Sequence, residues 1–581
     1  MVERAGTGVL TAERAGPAAR VSEPHATQGF LGRYVFSTDH KVIGLQYLLT
    51  AMLMALVGGA LAVMIRYQLA WPEKTFVTPE TYLALVTMHG TIMVFFVVSL
   101  ALVSGFGNFL IPLHIGARDM AYPFLNMLSF WTVVPGCLLM LAAFFVEGGA
   151  AAAGWTAYPP LSALKEAVPG SGLGQTLWLL AMALFIASFT MGGLNYITTI
   201  LNCRARGMTL MRMPLTVWMF FVSAVLGVLA FPPLTAAALM LLGDRHLGTS
   251  FFLPGGLVFG EEVLAHEGGT PLLFQHLFWF LGHPEVYVIV LPAIGIAFDV
   301  IATHARRPPF GYRISVYATL LIAFLSMIVW GHHMYVSGMN PLVGEYFSIA
   351  TVSITAPFSV LGINLIGSLW RGRIRFTTPM YFALGIISVI GTGGLGGLYL
   401  GTSTTDVYFH DSYFVVGHFH LMIGVVTLMG TFAGCYQWFP KMFGRLMNER
   451  LGKLHFWLTF VPMMAVFVLM HYQGLSGMLR RYYDHSLFEF QTAGRALNKP
   501  ITYFALLAVG GQLVFLVNFF WSAMRGVRAS ENPWEGASME WNTASPAPHG
   551  NFGPEEPVAR RGPYEYAPQG SQAEYLPQWT A

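Results

Sequence analysis

FWFLGHPEVYVIVLP, residues 278–292, is almost wholly apolar, yet it encloses His283 and Glu285. Side chains of that kind are costly in hydrocarbon and mark a functional site by default. The run around them extends over 270–304, longer than the roughly 20 residues a helix needs to cross a bilayer. Four residues separate His283 from Tyr287, so on a helix the imidazole and the phenol share one face.

Outward from this stretch the same texture recurs. Apolar runs near 42–66, 80–112, 121–146, 172–200, 212–243, 314–336, 343–370, 378–400, 412–440, 453–475 and 500–526 complete about twelve spans. The 581 residues are 55% hydrophobic and 10% charged, with a mean hydropathy of +0.58. That composition excludes a water-soluble domain. The expected fold is an all-α integral membrane bundle of about twelve helices over 38–526, in contact with membrane lipid and with no nucleic-acid partner. Residues 1–37 carry Arg4, Arg14, Arg20 and Arg33 without an apolar core, and read as a cytoplasmic N-terminal segment rather than a signal peptide. With both termini inside, most of the 31 Lys and Arg fall on one side, as the positive-inside rule requires of a bacterial inner-membrane protein. Residues 527–581, rich in Pro, Gly, Glu and Ser, read as an extended cytoplasmic tail lying on a surface. Cys137, Cys203 and Cys435 are isolated and support neither a disulfide framework nor a cysteine metal site.

Five further histidines sit in apolar spans: His89 in MHGTIMVFF, His332 and His333 in IVWGHHMYVSG, and His418 and His420 in YFVVGHFHLMIG. A single one is equally well a neutral core histidine bonded to a carbonyl. Six at one depth, in the outer half of the bilayer, fit a shared metal layer. A helix turns about 100° per residue, so His418 and His420 face opposite ways and serve two centres. Imidazole suits heme iron and copper, and without Cys clusters or a carboxylate triad zinc ribbons, iron–sulfur clusters and facial-triad iron are disfavoured.

The order GHPEVY (282–287), HHM (332–334), HDSYFVVGHFH (410–420) and GMLRRY (477–482) resembles subunit I of the heme-copper oxidases, in the aa3-like, mitochondrial-like cytochrome c oxidase branch. The similarity runs from STDHKVIG at 37 to NPWEGASMEWNTASP ending at 546. The resemblance implies an enzyme reducing dioxygen to water with electrons from cytochrome c or a similar donor, with proton uptake and pumping. It implies two hemes, of the heme A type, and copper B. His89 and His420 would be the axial ligands of the low-spin heme, and His418 the ligand of the high-spin heme. His283, His332 and His333 would hold copper B, with Tyr287 joined covalently to His283. Arg480 and Arg481 would meet heme propionates, Arg66 the formyl group of the low-spin heme, and Trp155 counts as a further heme contact. His410 and Asp411 would bind magnesium. A subunit II bearing CuA or a cytochrome, and a subunit III, would complete the enzyme.

The resemblance also implies a D pathway from Asp119 past Asn108, Asn126, Ser188 and Asn195 to Glu285 as proton shuttle. Met127 and Phe189 depart from the usual asparagine and serine beside it. The second, lysine-bearing pathway is missing: APFSVL places Phe358 for its threonine and Leu361 for its lysine. Ser348, Thr351, Thr355 and Ser359 form a polar stripe on that span, with Glu345 near its outer end, and such hydroxyls equally bond back to the preceding turn. Ala70 and Thr81 stand where quinol oxidases place an aspartate and a histidine, and Tyr287 speaks against a nitric oxide reductase. A proton-coupled transporter would show broken helices in two matching halves, and no such halves are visible.

Overall fold

The computed structural model describes residues 29–264, 266, 268–570 and 572–580. Two compact units result, Met1–Ser37 and Thr38–Ala581. Of the first, the described part holds one short turn, Leu31–Val35. Arg4, Arg14 and Arg20 lie outside the described residues.

The second unit is a bundle of apolar helices: α1 (His40–Ala70), α2 (Pro79–Ile115), α3 (Pro123–Phe145), α4 (Leu173–Asn202), α5 (Leu215–His246), α6 (Pro271–Ala305), the short α7 (Tyr312–Ser326), α8 (Pro341–Leu369), α9 (Thr378–Gly401), α10 (Tyr413–Phe443), α11 (Glu449–Leu475) and α12 (Glu489–Arg525). All but α7 are long enough to span a membrane. Helices are the form that satisfies every backbone group in hydrocarbon within one segment. Proline opens α2, α3, α6 and α8 at positions where the missing N–H costs nothing. Thr78, Thr270, Asn340 and Asn448 cap helix starts through their side chains. Gly116, at φ +73°, turns the chain out of α2. Close approach depends on small residues: a Cβ on Gly44 of α1 would meet Gly105 O of α2 at 2.8 Å. Among the described residues the sole sheet is a hairpin, β1 (Val258–Phe259) with β2 (Glu262–Val263), between α5 and α6.

Two spans differ from the sequence reading. The helix expected over 314–336 ends at Ser326, and His332 and His333 ride on a separate 3₁₀ turn, Trp330–Met334. The span expected over 343–370 is interrupted at Ile354, four residues after Ala350 and three before Pro357. Pro357 cannot donate to Ser353 and its ring crowds that carbonyl, which breaks the ladder there.

Among its described residues the C-terminal segment has no helix beyond the turn Met539–Trp541, yet it is fastened to the bundle rather than laid over it. Trp541, Glu540, Asn551, Tyr564 and Gln578 are buried. Glu540 pairs with His114 of α2 at 3.3 Å, Tyr564 bonds Asp299 of α6, and Asn551 Oδ1 accepts from Lys41 Nζ at 2.9 Å. The segment thus returns to the end where α1 begins.

There His549 Nδ1 lies 2.9 Å from Asp39 Oδ2. Burial works against the Asp39 carboxylate, but the His549 hydrogen bond and the Lys41 charge outweigh it and hold its pKa well below the usual range. The same hydrogen bond raises His549 above the ordinary imidazole value. A raised histidine contributes its full stabilisation below its unfolded pKa of about 6.5 and loses it as pH climbs through the folded value. The depressed Asp39 contributes above its unfolded value of about 3.9. Proteolytic cleavage of the tail around 549 should therefore accelerate as pH rises above about 6.5. His549→Gln should cleave at the fast rate throughout, and a wild-type rate independent of pH would refute the latch.

Candidate metal centre

α6 and the 3₁₀ turn after α7 bring His283, His332 and His333 together, one ring nitrogen of each within 4.8 Å of the others. His283 Nδ1 lies 3.1 Å from His332 Nε2. Trp279 stacks on His333, centroids 3.7 Å apart and planes 10° apart, and its indole N–H donates to the Tyr158 hydroxyl. Thr351 Oγ1 sits 3.1 Å from His332 Nδ1. His283 Nε2 and His333 Nε2 are buried with no protein partner. Three oriented imidazoles with no carboxylate suit copper better than a hard cation. Tyr287 lies beside His283 at 4.8 Å between centroids, as the four-residue spacing requires.

The remaining histidines open on the same cavity of about 1230 Å³. His89 Nδ1 donates to Gly58 O at 2.9 Å, His420 Nδ1 to Val416 O at 2.9 Å and His418 Nδ1 to Gly393 O at 2.9 Å. Each bond fixes the tautomer and leaves Nε2 for another partner. His89 and His420 face each other at 6.4 Å with planes 11° apart, the separation two imidazoles need when a metal sits roughly 2 Å from one nitrogen of each. His418 points away, towards α9, where a Cβ on Gly397 would come within 3.2 Å of its ring. The cavity volume, the facing pair and the glycine wall fit two flat macrocycles.

Arg66, Trp155, Arg480 and Arg481 line this cavity. Arg66 NH2 donates to Asn498 O and Oδ1 at 2.9 and 3.0 Å, while its NH1 is buried and unpartnered. Asp411 is engaged by Arg480 Nε at 2.7 Å, and His410 Nδ1 lies 3.1 Å from Asp406 Oδ2. Asp406 went unread in the sequence. Burial raises its pKa against the His410 hydrogen bond. Asp411, where burial also opposes the charge, is held low by Arg480.

The polar residues below form a broken column. Asp119 lies in the loop after α2, where burial and then the neighbouring Asp39 charge raise its pKa to about 7. Asn195 holds that loop, Oδ1 accepting from Tyr122 N at 3.0 Å. Both side-chain polar atoms of Asn126, and Asn108 Oδ1, are buried without protein partners, the condition under which ordered water enters. Above them Tyr47 OH reaches Ser129 Oγ at 3.0 Å and Ser188 Oγ at 3.3 Å. Glu285 Oε1 lies 3.0 Å from Ser99 Oγ, and its Oε2 is unpartnered. Tyr47, Ser129 and Ser99 were missed; lone hydroxyls in apolar spans were their only signal. Phe189 packs against Phe185 and Phe231 at 5.9 and 4.7 Å. The stripe on α8 divides at the Ile354 break. Ser348 and Thr351 bond neighbouring elements, and Thr351, Thr355 and Ser359 line the cavity. Phe358 stands against Tyr287 at 6.5 Å, Leu361 is fully buried, and Glu345 is exposed.

The profile of the family described as Cytochrome C and Quinol oxidase polypeptide I matches residues 42–513. The chain belongs to this family of heme-copper oxidase subunits I. It is 47% identical, over 94% of its length and 93% of the relative's, to the alternative cytochrome c oxidase subunit 1 of Bradyrhizobium diazoefficiens. It is 42% identical, over 94% and 95%, to cytochrome c oxidase subunit 1 of Synechocystis sp.. A solved heme-copper terminal oxidase dimer, known from cryo-EM, shares the fold with a TM-score of 0.67 at 19% identity, over 84% of this chain and 85% of the other. Membership makes the chain a multi-pass membrane oxidoreductase, the catalytic subunit of a terminal oxidase of the cytochrome c oxidase type, whose family carries hemes and copper and works with other subunits.

Removing the Thr351 hydroxyl frees the His332 ring. Thr351→Val should weaken copper retention under chelator challenge by about 10- to 100-fold, the usual cost of a lost partner behind a metal ligand. Retention equal to wild type would show that the contact does not orient His332.

Proposed function

We propose that the chain reduces dioxygen to water at a heme and copper B pair, with electrons from cytochrome c. The relatives named as cytochrome c oxidases support that donor. The observation that carries the reading is the triad of His283, His332 and His333 in one cavity with His418, while His89 faces His420.

In this reading His283, His332 and His333 hold copper B, His418 the high-spin heme, and His89 with His420 the low-spin heme. When bound, the metals supply the electrons for dioxygen reduction. Tyr287 places a phenol beside the copper ligands. The unpartnered NH1 of Arg66 suits the formyl oxygen of heme A. Arg480 and Arg481 reach propionates, Trp155 walls the pocket, and His410 with Asp411 contributes to a magnesium site completed by another subunit. Subunits II and III complete the assembly. The enzyme sits in the bacterial inner membrane with both termini cytoplasmic, the tail 527–581 closing the cytoplasmic end of the 38–526 bundle.

Each dioxygen takes four protons and four electrons to give two waters. Asp119, with a pKa about 7, loads and releases protons near neutrality. Asn195, Asn126 and Asn108 carry the route inward through water, and Ser188 extends it towards Glu285. Ser99 has one hydrogen, for Val94 O or for Glu285. A protonated Glu285 donating to Ser99 while Ser99 donates to Val94 O satisfies all three groups. Phe358 and Leu361 stand where the second pathway would run, so this route serves as the main supply for both consumed and pumped protons.

His283→Ala should abolish dioxygen consumption while the low-spin heme bands persist, and His420→Ala should delete those bands. Turnover in the first variant, or intact bands in the second, would overturn the ligand assignment. Glu285→Gln keeps the volume but cannot carry a proton, so turnover should fall by at least about 100-fold, and Asp119→Asn should slow it from the cytoplasmic side. Normal rates in both would require another route.

A further inference from the structure

The turn that carries His332 and His333 belongs to neither neighbouring helix: α7 has ended at Ser326 and α8 begins only at Pro341. A 3₁₀ turn has poorer hydrogen bonds than an α-helix, so where this one sits depends on what its side chains grip. Its position relative to α6 matters, because the third imidazole of the cluster, His283, is carried by α6 itself.

Three residues of α6 stand in one row beside the turn. His276, Phe280 and His283 follow at intervals of four and three, the spacing that puts side chains on one helix face. Trp330, the first residue of the turn, lies over the first two. Its ring meets Phe280 edge-on at 5.3 Å, and its indole N–H donates to His276 Nδ1 at 3.3 Å. An indole nitrogen is a donor only, so His276 Nδ1 must be the accepting nitrogen and the ring proton sits on Nε2. One residue earlier on α6, Gln275 Oε1 accepts from Ser337 Oγ at 2.8 Å, which ties down the chain beyond the far end of the turn.

The opposite side is closed by α8. Phe347 lies 5.3 Å from the Trp330 ring, and a Cβ on Gly331 would collide with it. The turn is thus wedged between two helices, and packing fixes its distance from α6. Packing does not fix its height. Flat rings slide over one another, as the Trp279 stack on His333 could, whereas a hydrogen bond weakens steeply once its partners move out of line.

We propose that His276 is a positioning residue for the copper centre. It holds Trp330, and with it the turn, at the height on α6 where His332 and His333 meet His283. His276 lies about two helical turns from His283, and its Nδ1 is taken by the indole, so it acts through Trp330 and not as a ligand. The inference rests on the copper B reading above.

The test is the rate at which copper leaves the purified, reduced oxidase for a copper(I) chelator, followed as copper per heme iron. His276→Phe keeps a ring and removes the acceptor, and should speed copper loss about tenfold, the lower end of the usual cost of a lost partner behind a metal ligand. His276→Asn, whose side-chain oxygen takes the place of Nδ1, should keep copper nearly as the wild type does. Trp330→Phe removes the other half of the bond, so it should match His276→Phe, and the double variant should lose copper no faster than the single ones. The low-spin heme bands should be intact in all four. Wild-type retention in His276→Phe, effects that add in the double variant, or an Asn variant as leaky as the Phe variant would each overturn the proposal. So would loss of the low-spin heme bands along with the copper, because the bond would then serve the whole bundle. A wild-type enzyme without copper, or one whose copper survives His283→Ala, would instead defeat the copper reading on which the proposal stands.

Discussion

Each imidazole in a water-poor bundle has two nitrogens that need partners, and this accounting organises the centre of the molecule. The backbone supplies one partner for His89, His418 and His420 through the carbonyls of Gly58, Gly393 and Val416. The other nitrogen is left to the cavity. The helices are shaped to allow it. α2 passes into a π-helical stretch at Ile92, three residues after His89, and α10 does so at His420 itself. Widened turns of this kind are frequent at functional sites because they redirect side chains that an α-helix would hold in fixed rows. Aromatic rings then lock the imidazole planes, Trp279 on His333 and Phe467 on His420.

The same dryness weighs on the polar side chains between Asp119 and Glu285. The column from Asp119 to Glu285 is built of buried groups that the protein leaves incompletely paired, which is expensive unless water fills the gaps. The α8 side is closed differently. An aromatic ring at 358 abuts Tyr287, and Leu361 is fully buried. Thr351 Oγ1 lies 3.1 Å from His332 Nδ1, while Thr355 and Ser359 lie beyond the break at Ile354.

Most of the bundle was legible in the sequence because twelve apolar runs can form little except helices in a bilayer. The opposite orientation of His418 and His420 followed from a spacing of two residues, and the pairing of His283 with Tyr287 from a spacing of four. What the spacing could not show was where helices stop. The apolar run through 327–336 conceals the end of α7 at Ser326, since hydropathy does not distinguish an α-helix from a 3₁₀ turn. The tail was misjudged for a related reason. Its Pro and Gly content correctly excluded helix and strand, but composition gave no sign that Trp541, Tyr564 and Glu540 would be buried against α2 and α6. Tyr47 and Ser99 were invisible because each is a single polar residue whose side-chain partner lies far away in sequence, while Asp406, only four residues before His410, offered no signal beyond a lone carboxylate at a helix end.

The central claim is that three nitrogen clusters hold three metals. Anomalous diffraction from crystals of the assembled oxidase, recorded at the iron and copper edges, tests it directly. The account predicts one copper peak about 2 Å from nitrogens of His283, His332 and His333. It predicts one iron peak between His89 and His420, and a second iron peak beside His418 on the copper side. A copper peak away from the three histidines, or one iron shared by His418 and His420, would contradict it.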